Sequence, residues 1–337
     1  MTRFRKGALS ACALATGLIG GAASAQQYTY GYTAQNGYGA GGGGGYGAGG
    51  SGAGSYGGSQ GGSSFGNGYT IEGRVEYEWL ATRDHNRGLA YGDVTFGFMS
   101  SSSPFGWELG FQGYQSDEGD IAVYGAGKMA LGNGVISAGV PRSSMDTFLD
   151  IPALGGSQSV DLATGVMTRG FVGTTYLHSG DTPWGLRYDG TFQQATVSGS
   201  VHQFEGDGTV IDGTVSVKAG QFTLSAGAEN VDRRDNSGVN TVSGVKYDAG
   251  GWQGGLYYSD VQRPGDMSGW TGYGSWTPGG PLTITGSVIA TRQDGRGSTL
   301  YGASAEYTVW ENAYVQGGVL DGDDTDATWD LSMGWKF

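Results

Sequence analysis

Three histidines, His85, His178 and His202, and one cysteine, Cys12, are the side chains best suited to nucleophilic or metal chemistry. A nucleophilic serine needs a base within hydrogen-bond reach and a third group that orients the base. His85 falls in the charged run TRDHNRG, His178 closes a long connection and His202 sits in an alternating apolar stretch; none has that setting. A zinc site takes three or four ligands at close spacing, but no two histidines share one, and Cys12 lies in a leader expected to be removed. The run GAGGGGGYGAGG imitates a nucleotide loop, yet no strand precedes it and no Lys-Ser/Thr pair follows. The acidic runs SDEGD at 116–120 and DGDDTD at 321–326 lack the glycine pattern and closing Glu of a calcium loop and read as solvated loop charge. No catalytic residue, metal site or cofactor is therefore expected. What remains is fixed charge: 31 Asp and Glu against 18 Lys and Arg, net −13. That balance excludes nucleic acid, whose phosphates demand cationic surface.

Fixed charge acts on ions and solutes only where a scaffold holds it. The chain opens with Arg3, Arg5 and Lys6, an apolar stretch from Ala8 to Ala23, and ASA at 23–25, the pattern of a cleaved export signal spanning 1–25. The stretch is too short and too rich in Gly and Ala to span a membrane. With Cys12 gone, the exported chain has no thiol. Residues 26–68 carry no charge and consist largely of Gly, Tyr, Ser, Ala, Asn and Gln, a composition unable to bury enough apolar surface to offset chain entropy. This segment is expected to be a disordered tail, with an adhesive or structural surface role as one alternative function.

From residue 69 to 337 the pattern changes to a period of two. In YTIEGRVEYEWLA, Ile71, Val75, Tyr77 and Trp79 fall on one side and Glu72, Arg74, Glu76 and Glu78 on the other, which is strand spacing. Sixteen such segments follow one another, ending on WDLSMGWKF. The connections alternate in kind. Short, nearly uncharged ones such as GNG, QQ, AGG and PGG take turns with longer charged ones such as TRDHNRG, DRRDNSG and DGDDTD. The expected fold is all-β, an up-and-down antiparallel meander with two unlike ends.

The two faces differ. One register collects Val94, Phe96, Phe98, Phe105, Trp107, Leu109, Phe111, Leu224, Ile284 and Val288, with Asp260 and Arg292 as its only charges, each at a loop end. The other collects Glu72, Arg74, Glu76, Glu78, Asp93, Glu108, Lys128, Arg187, Glu229, Glu306 and Lys336. A soluble barrel packs bulky aliphatics inward, whereas a surface facing lipid needs only freedom from charge, since Lys or Arg at mid-membrane costs about 2–4 kcal/mol there. All nine tryptophans lie near strand ends, where headgroups would meet them. In hydrocarbon every backbone group needs a partner, so the sheet must close. The expectation is a transmembrane antiparallel β-barrel of 16 strands over 69–337, whose even strand number returns both ends to the same side.

Strand number, loop alternation and the closing WDLSMGWKF resemble the sixteen-stranded general diffusion porins of Gram-negative outer membranes, of the alphaproteobacterial type. The resemblance implies passive diffusion of small hydrophilic solutes and ions, a homotrimer in outer-membrane lipid and lipopolysaccharide, and no enzyme activity. It implies that Trp329, Leu331, Met333, Trp335 and Phe337 face lipid and are read as the insertion signal by the assembly machinery. It also implies that the third long connection, 141–183, folds inward and narrows the pore. Asp146, Asp150 and Asp161 would then present carboxylates there, with Phe148, Leu149, Ile151 and Leu154 pinning the loop, opposed by Arg74, Lys128, Arg142, Arg169 and Arg187. With Glu72, Glu76, Glu78, Asp93 and Glu108 on the lumen wall, acids outnumber bases, and rings of carboxylates favour cations. A second alternative is a substrate-selective porin, to which Tyr91, Tyr124, Tyr257 and Tyr273 could contribute inward aromatics.

Overall fold

The computed structural model describes residues 63–65 and 68–337, without 84–85, 117–118, 150, 165–166, 168–169, 180–181, 207, 234–236, 263–265 and 324. The leader and nearly all of the Gly/Tyr-rich segment lie outside the described residues. The exception is β1 (Ser63–Phe65), a short strand within a segment expected to have none.

The chain then forms β2 (Tyr69–Ala81), β3 (Asn86–Met99), β4 (Phe105–Gln115), β5 (Gly119–Leu131) and β6 (Gly134–Val140). After the long connection come β7 (Trp184–Phe192), β8 (Ala195–Phe204), β9 (Gly208–Ala219), β10 (Phe222–Arg233), β11 (Gly238–Asp248) and β12 (Trp252–Val261). The last five are β13 (Met267–Trp276), β14 (Leu282–Gln293), β15 (Arg296–Thr308), β16 (Ala313–Gly322) and β17 (Thr325–Lys336). Each strand from β2 onward pairs antiparallel with its sequence neighbours, and β17 closes on β2 with Leu331 opposite Trp79 and Trp335 opposite Val75. The result is a closed barrel of sixteen strands, as the alternation predicts. β1 folds back on the first residues of β2, Ser63 opposite Ile71, next to the point where the Phe337 amide donates to the Gly73 carbonyl at 2.8 Å.

Why these segments are strands is visible in the rows they build. Val245, Leu256, Gly272, Val288 and Tyr301 lie side by side across five strands, and Leu256, Val288 and Tyr301 are exposed on the outside. The short ends turn tightly: Gly132, between β5 and β6, sits at φ +57°, a left-handed conformation glycine adopts without steric cost. All nine tryptophans are exposed. Trp79, Trp184, Trp270 and Trp329 lie toward the long-loop end, and Trp107, Trp252, Trp276, Trp310 and Trp335 toward the short-turn end. Two aromatic girdles thus frame an apolar outer belt, the arrangement of a lipid-facing barrel. Asp232 and Asp321 join Asp260 and Arg292 on that face, all at long-loop strand ends, so the outer register holds two more charges than the alternation alone suggests.

The buried apolar residues of the barrel lie inside it, between the wall and the connection 141–183. That connection carries α1 (Ser144–Thr147), a 3-10 turn (Leu154–Gly156), α2 (Gln158–Thr164) and α3 (Phe171–Ser179). As the resemblance implies, it folds into the lumen.

Candidate functional site: the lumen and its loop

Near the short-turn end the inner wall is small and polar. Hydroxyl pairs join adjacent strands: Ser216 with Ser225 at 2.9 Å, Ser275 with Thr285 at 2.9 Å and Thr277 with Thr283 at 3.0 Å. Among them stand ion pairs. Lys128 meets Glu108, Arg187 meets Asp189 at 2.7 Å, and Lys336 meets Glu306 at 2.6 Å. Glu72 is exposed close by. Arg74 pairs with Glu76 at 3.4 Å and donates to the Gln158 side chain of the loop, and Glu76 also accepts from the Tyr314 hydroxyl at 2.6 Å. The wall cations Arg74, Lys128 and Arg187 therefore each face a wall carboxylate. Lys128 and Glu108 keep the most contact with water, and together the pairs shape the local field.

Higher in the lumen charge becomes buried. Arg142 leaves β6 and reaches Asp93 on β3 with both terminal nitrogens, and Asp146 one helical turn later at 3.4 Å. Its guanidinium lies 4.5 Å from the centre of the Tyr124 ring. Burial works against the charged form, but the carboxylates of Asp93 and Asp146 outweigh it and hold the Arg142 pKa above the ordinary arginine range. Arg187 supports the same corner by donating to the carbonyls of Arg142 and Ser143 at 3.3 and 3.1 Å. Of the residues expected at a constriction, Arg142, Asp146 and Arg187 are thus brought together, with Asp93 joining them from the expected lumen wall. Lys128, paired with Glu108 of the expected lumen wall, stands in the same cross-strand row as Arg187, with Ser137 between them. Asp150, Arg169 and the Asp161 side chain lie outside the described residues, although residue 161 is placed within α2.

Three wall carboxylates outside that corner hold the loop's helices by their first amides. An α-helix begins with N–H groups that lack partners within it, and each helix here finds them on the barrel. Asp212 of β9 accepts from the amides of Ser144 and Met145 at 2.8 and 3.2 Å, and from the Ser144 hydroxyl. Glu78 of β2 accepts from the Ser159 amide at 2.9 Å and from the hydroxyls of Ser157 and Ser159 at 2.6 and 2.8 Å. Glu229 of β10 accepts from the amides of Phe171 and Val172 at 2.7 and 3.3 Å, and from Asn240 at 3.0 Å. Glu78 and Glu229 are wholly buried. Each set of bonds satisfies helix-start amides that burial would otherwise leave without partners. Sequence reading takes Glu78 and Glu229 as lumen-wall charge, whereas the structure buries both beneath the loop as partners of its helix starts, and sequence reading passes over Asp212.

Apolar clusters complete the docking. Met145 and Leu149 pack on Val242 and Tyr257, with Phe148, Ile151 and Tyr273 around them. Leu154, Val160 and Met167 pack on Val261, Met267, Ile289, Leu300 and Leu320. Phe171 and Val172 pack on Phe204, Val210 and Val231, and Leu162 and Tyr176 on Leu89, Tyr91, Tyr114 and Tyr124. Phe148, Leu149, Ile151 and Leu154 thus do the pinning their apolar character implies. The long-loop half of the inner wall, expected to be wet, is apolar where the loop lies on it. The loop comes closest at Gly318 and Gly302: a Cβ at Gly318 would overlap the Gly155 carbonyl oxygen, and one at Gly302 would stand 2.5 Å from the Gly155 Cα.

At the seam, Trp329, Leu331, Met333 and Trp335 face outward and are exposed. No family model matches the chain, and no curated protein matches it. Solved structures do. A porin refined at 1.8 Å resolution is 18% identical, with TM-score 0.60, over 80% of this chain and 100% of its own. Two engineered variants of Rhodopseudomonas blastica porin are each 14% identical, with TM-score 0.59, over 80% of this chain and 100% of theirs. At such identities the likeness is one of architecture: the chain has the sixteen-stranded porin fold.

Proposed function

We propose that the protein is an outer-membrane porin, a passive channel for small hydrophilic solutes and ions. One observation carries the reading: the barrel is inside out relative to a soluble one, with apolar side chains exposed on its outer wall between two tryptophan girdles and ion pairs and hydroxyls on its inner wall. The porin fold supports it, and favours a channel over an enzyme. A homotrimer, contact with lipopolysaccharide, and recognition of Trp329, Leu331, Met333, Trp335 and Phe337 by the assembly machinery belong to the same proposal, as does a narrowing set by Asp146, Asp150 and Asp161 against Arg74, Lys128, Arg142, Arg169 and Arg187. On the inner register carboxylates outnumber basic residues, with Glu72 exposed, so the channel prefers cations.

Purified protein in a planar bilayer tests this. Stepwise conductance is expected, with a reversal potential of cation-selective sign under a salt gradient, and a chain lacking residues 27–62 conducts equally. Loss of conductance on that deletion would move the function to the tail. Anion selectivity would remove the charge reading and leave the channel. The substrate-selective alternative has less support, because Tyr91, Tyr124 and Tyr257 are buried in loop packing and line no path.

A further inference from the structure

We propose that the short-turn end of the lumen holds a subsite for small oxyanions, such as the phosphate group of a passing solute, built on Lys218 with Thr223 and Lys246. The inference rests on the channel reading and concerns one class of solute that the channel takes.

Basic residues on this part of the inner wall are otherwise neutralised. Arg74, Lys128, Arg187 and Lys336 each meet a wall carboxylate. Lys218 does not. It is exposed, and among the described residues no carboxylate stands within ion-pair distance of its ammonium. In a lumen rich in acid, this is a place where an anion is attracted instead of repelled.

The strands bring further donors to it. Val215 and Val217 on β9, Phe222 and Leu224 on β10, and Tyr247 on β11 are exposed on the outer wall, so alternation turns Lys218, Thr223 and Lys246 into the lumen. Pairing sets these three in one row, with Thr223 opposite Lys218 on one side and opposite Lys246 on the other. The two lysines are two interstrand spacings apart, about 10 Å, and their flexible stems can bring both ammonium groups over Thr223. Lys246 is half-buried and has contacts of its own, which leaves Lys218 as the free charge of the two. The rungs are fixed: the Lys218 amide donates to the Gln194 carbonyl at 2.9 Å, and the Asp248 amide to the Gln221 carbonyl at 2.8 Å. One step further from the turns, Thr196, Ser216 and Ser225 form the next row and are half-buried. The hydroxyls of Ser216 and Ser225 lie 2.9 Å apart. Only one hydrogen fits between two such oxygens, so the other hydroxyl hydrogen is left to donate elsewhere.

The patch is therefore one-sided in its chemistry. An ammonium has three donors and no acceptor, and hydroxyls add more donors. Asp248, the carboxylate at this end of β11, accepts from the Gly250 amide at 3.1 Å and the Gln253 side chain at 3.3 Å, inside its own turn. Asp212 and Glu229 stand six residues along β9 and β10, about 20 Å away, and hold helix starts. An oxyanion has several acceptor oxygens and can take ammonium and hydroxyl donors together in charge-assisted bonds.

Uptake of glucose and of glucose 6-phosphate into proteoliposomes, below saturation, tests the proposal on wild type, Lys218→Gln and Thr223→Val. The ratio of phosphorylated to free sugar should fall about tenfold in K218Q and about threefold in T223V, the loss of one charge-assisted and one neutral hydrogen bond. Thr223→Val keeps every charge. A ratio that falls in K218Q but not in T223V overturns the subsite and leaves a diffuse field. A ratio unchanged in both overturns it outright. No glucose uptake in any form overturns the channel reading instead. Inorganic phosphate reads the site directly: its phosphorus resonance should broaden saturably with wild-type protein in detergent and not with K218Q, and equal broadening by both overturns the subsite.

Discussion

Arg142→Met should destabilise the folded protein by about 3–5 kcal/mol, the cost of removing one member of a buried ion pair and leaving the other behind. Two carboxylates would be stranded, Asp93 on the wall and Asp146 on α1, both buried. The methionine fills much of the volume but none of the charge, so packing does not compensate. Lysine at the same position should recover only part of the loss, because a single ammonium cannot meet both Asp93 oxygens in the fork that the guanidinium makes. The arginine pKa is raised in the folded state. A raised pKa gives stability that is present below the unfolded value and lost only as pH climbs through the folded one. For arginine that window lies above any working pH, so base does not titrate this contribution away. Denaturant unfolding in lipid or detergent, followed by tryptophan fluorescence, reads the change. A loss under 1 kcal/mol would mean that water screens the pair.

Leu256→Arg should cost about 2–4 kcal/mol, the depth-dependent penalty for a cation on the lipid face of a barrel near the bilayer midplane. Leu256 lies in the middle of β12, is 49% exposed, and stands beside Val245 on one neighbour and Gly272 on the other. An exposed leucine on a soluble protein would accept arginine within about 0.5 kcal/mol. The size of the effect therefore separates an outer surface in hydrocarbon from one in water. The control is Glu72→Arg, at an exposed vestibule position, where little change is expected. The same unfolding measurement in vesicles decides, and near-neutral behaviour at Leu256 would remove the membrane assignment.

The barrel was legible because its strands obey one rule over and over. A period of two with glycine or charge in the connections recovers β7 and β8 to the residue; counting its segments gives the sixteen strands, and closure in lipid makes them a barrel. The site was less legible, for a reason visible in particular pairs. Val210 and Ile211, Val288 and Ile289, and Val319 and Leu320 are neighbours on a strand, and one member of each faces out while the other faces the loop. Two adjacent apolar residues break alternation and mark strand buried on both faces. That signal shows where the inner wall is covered. Choosing a single apolar register per strand hides it. Nothing comparable marks Asp212, Glu78 or Glu229 as caps, since their partners are backbone amides, which every residue but proline carries.

The loop's anchors also bear on how the molecule forms. Ser159 meets Glu78 across 81 positions of chain, Gly155 meets Ser287 across 132, and Gly156 meets Gln316 across 160. Contacts this distant impose a high contact order, and loop-closure entropy is spent before any of them is rewarded. The segment from α1 to α3 cannot settle until hairpins at both ends of the polypeptide have arrived around it, which ties the fastest-forming local turns to the slowest long-range pairings in a single cooperative event.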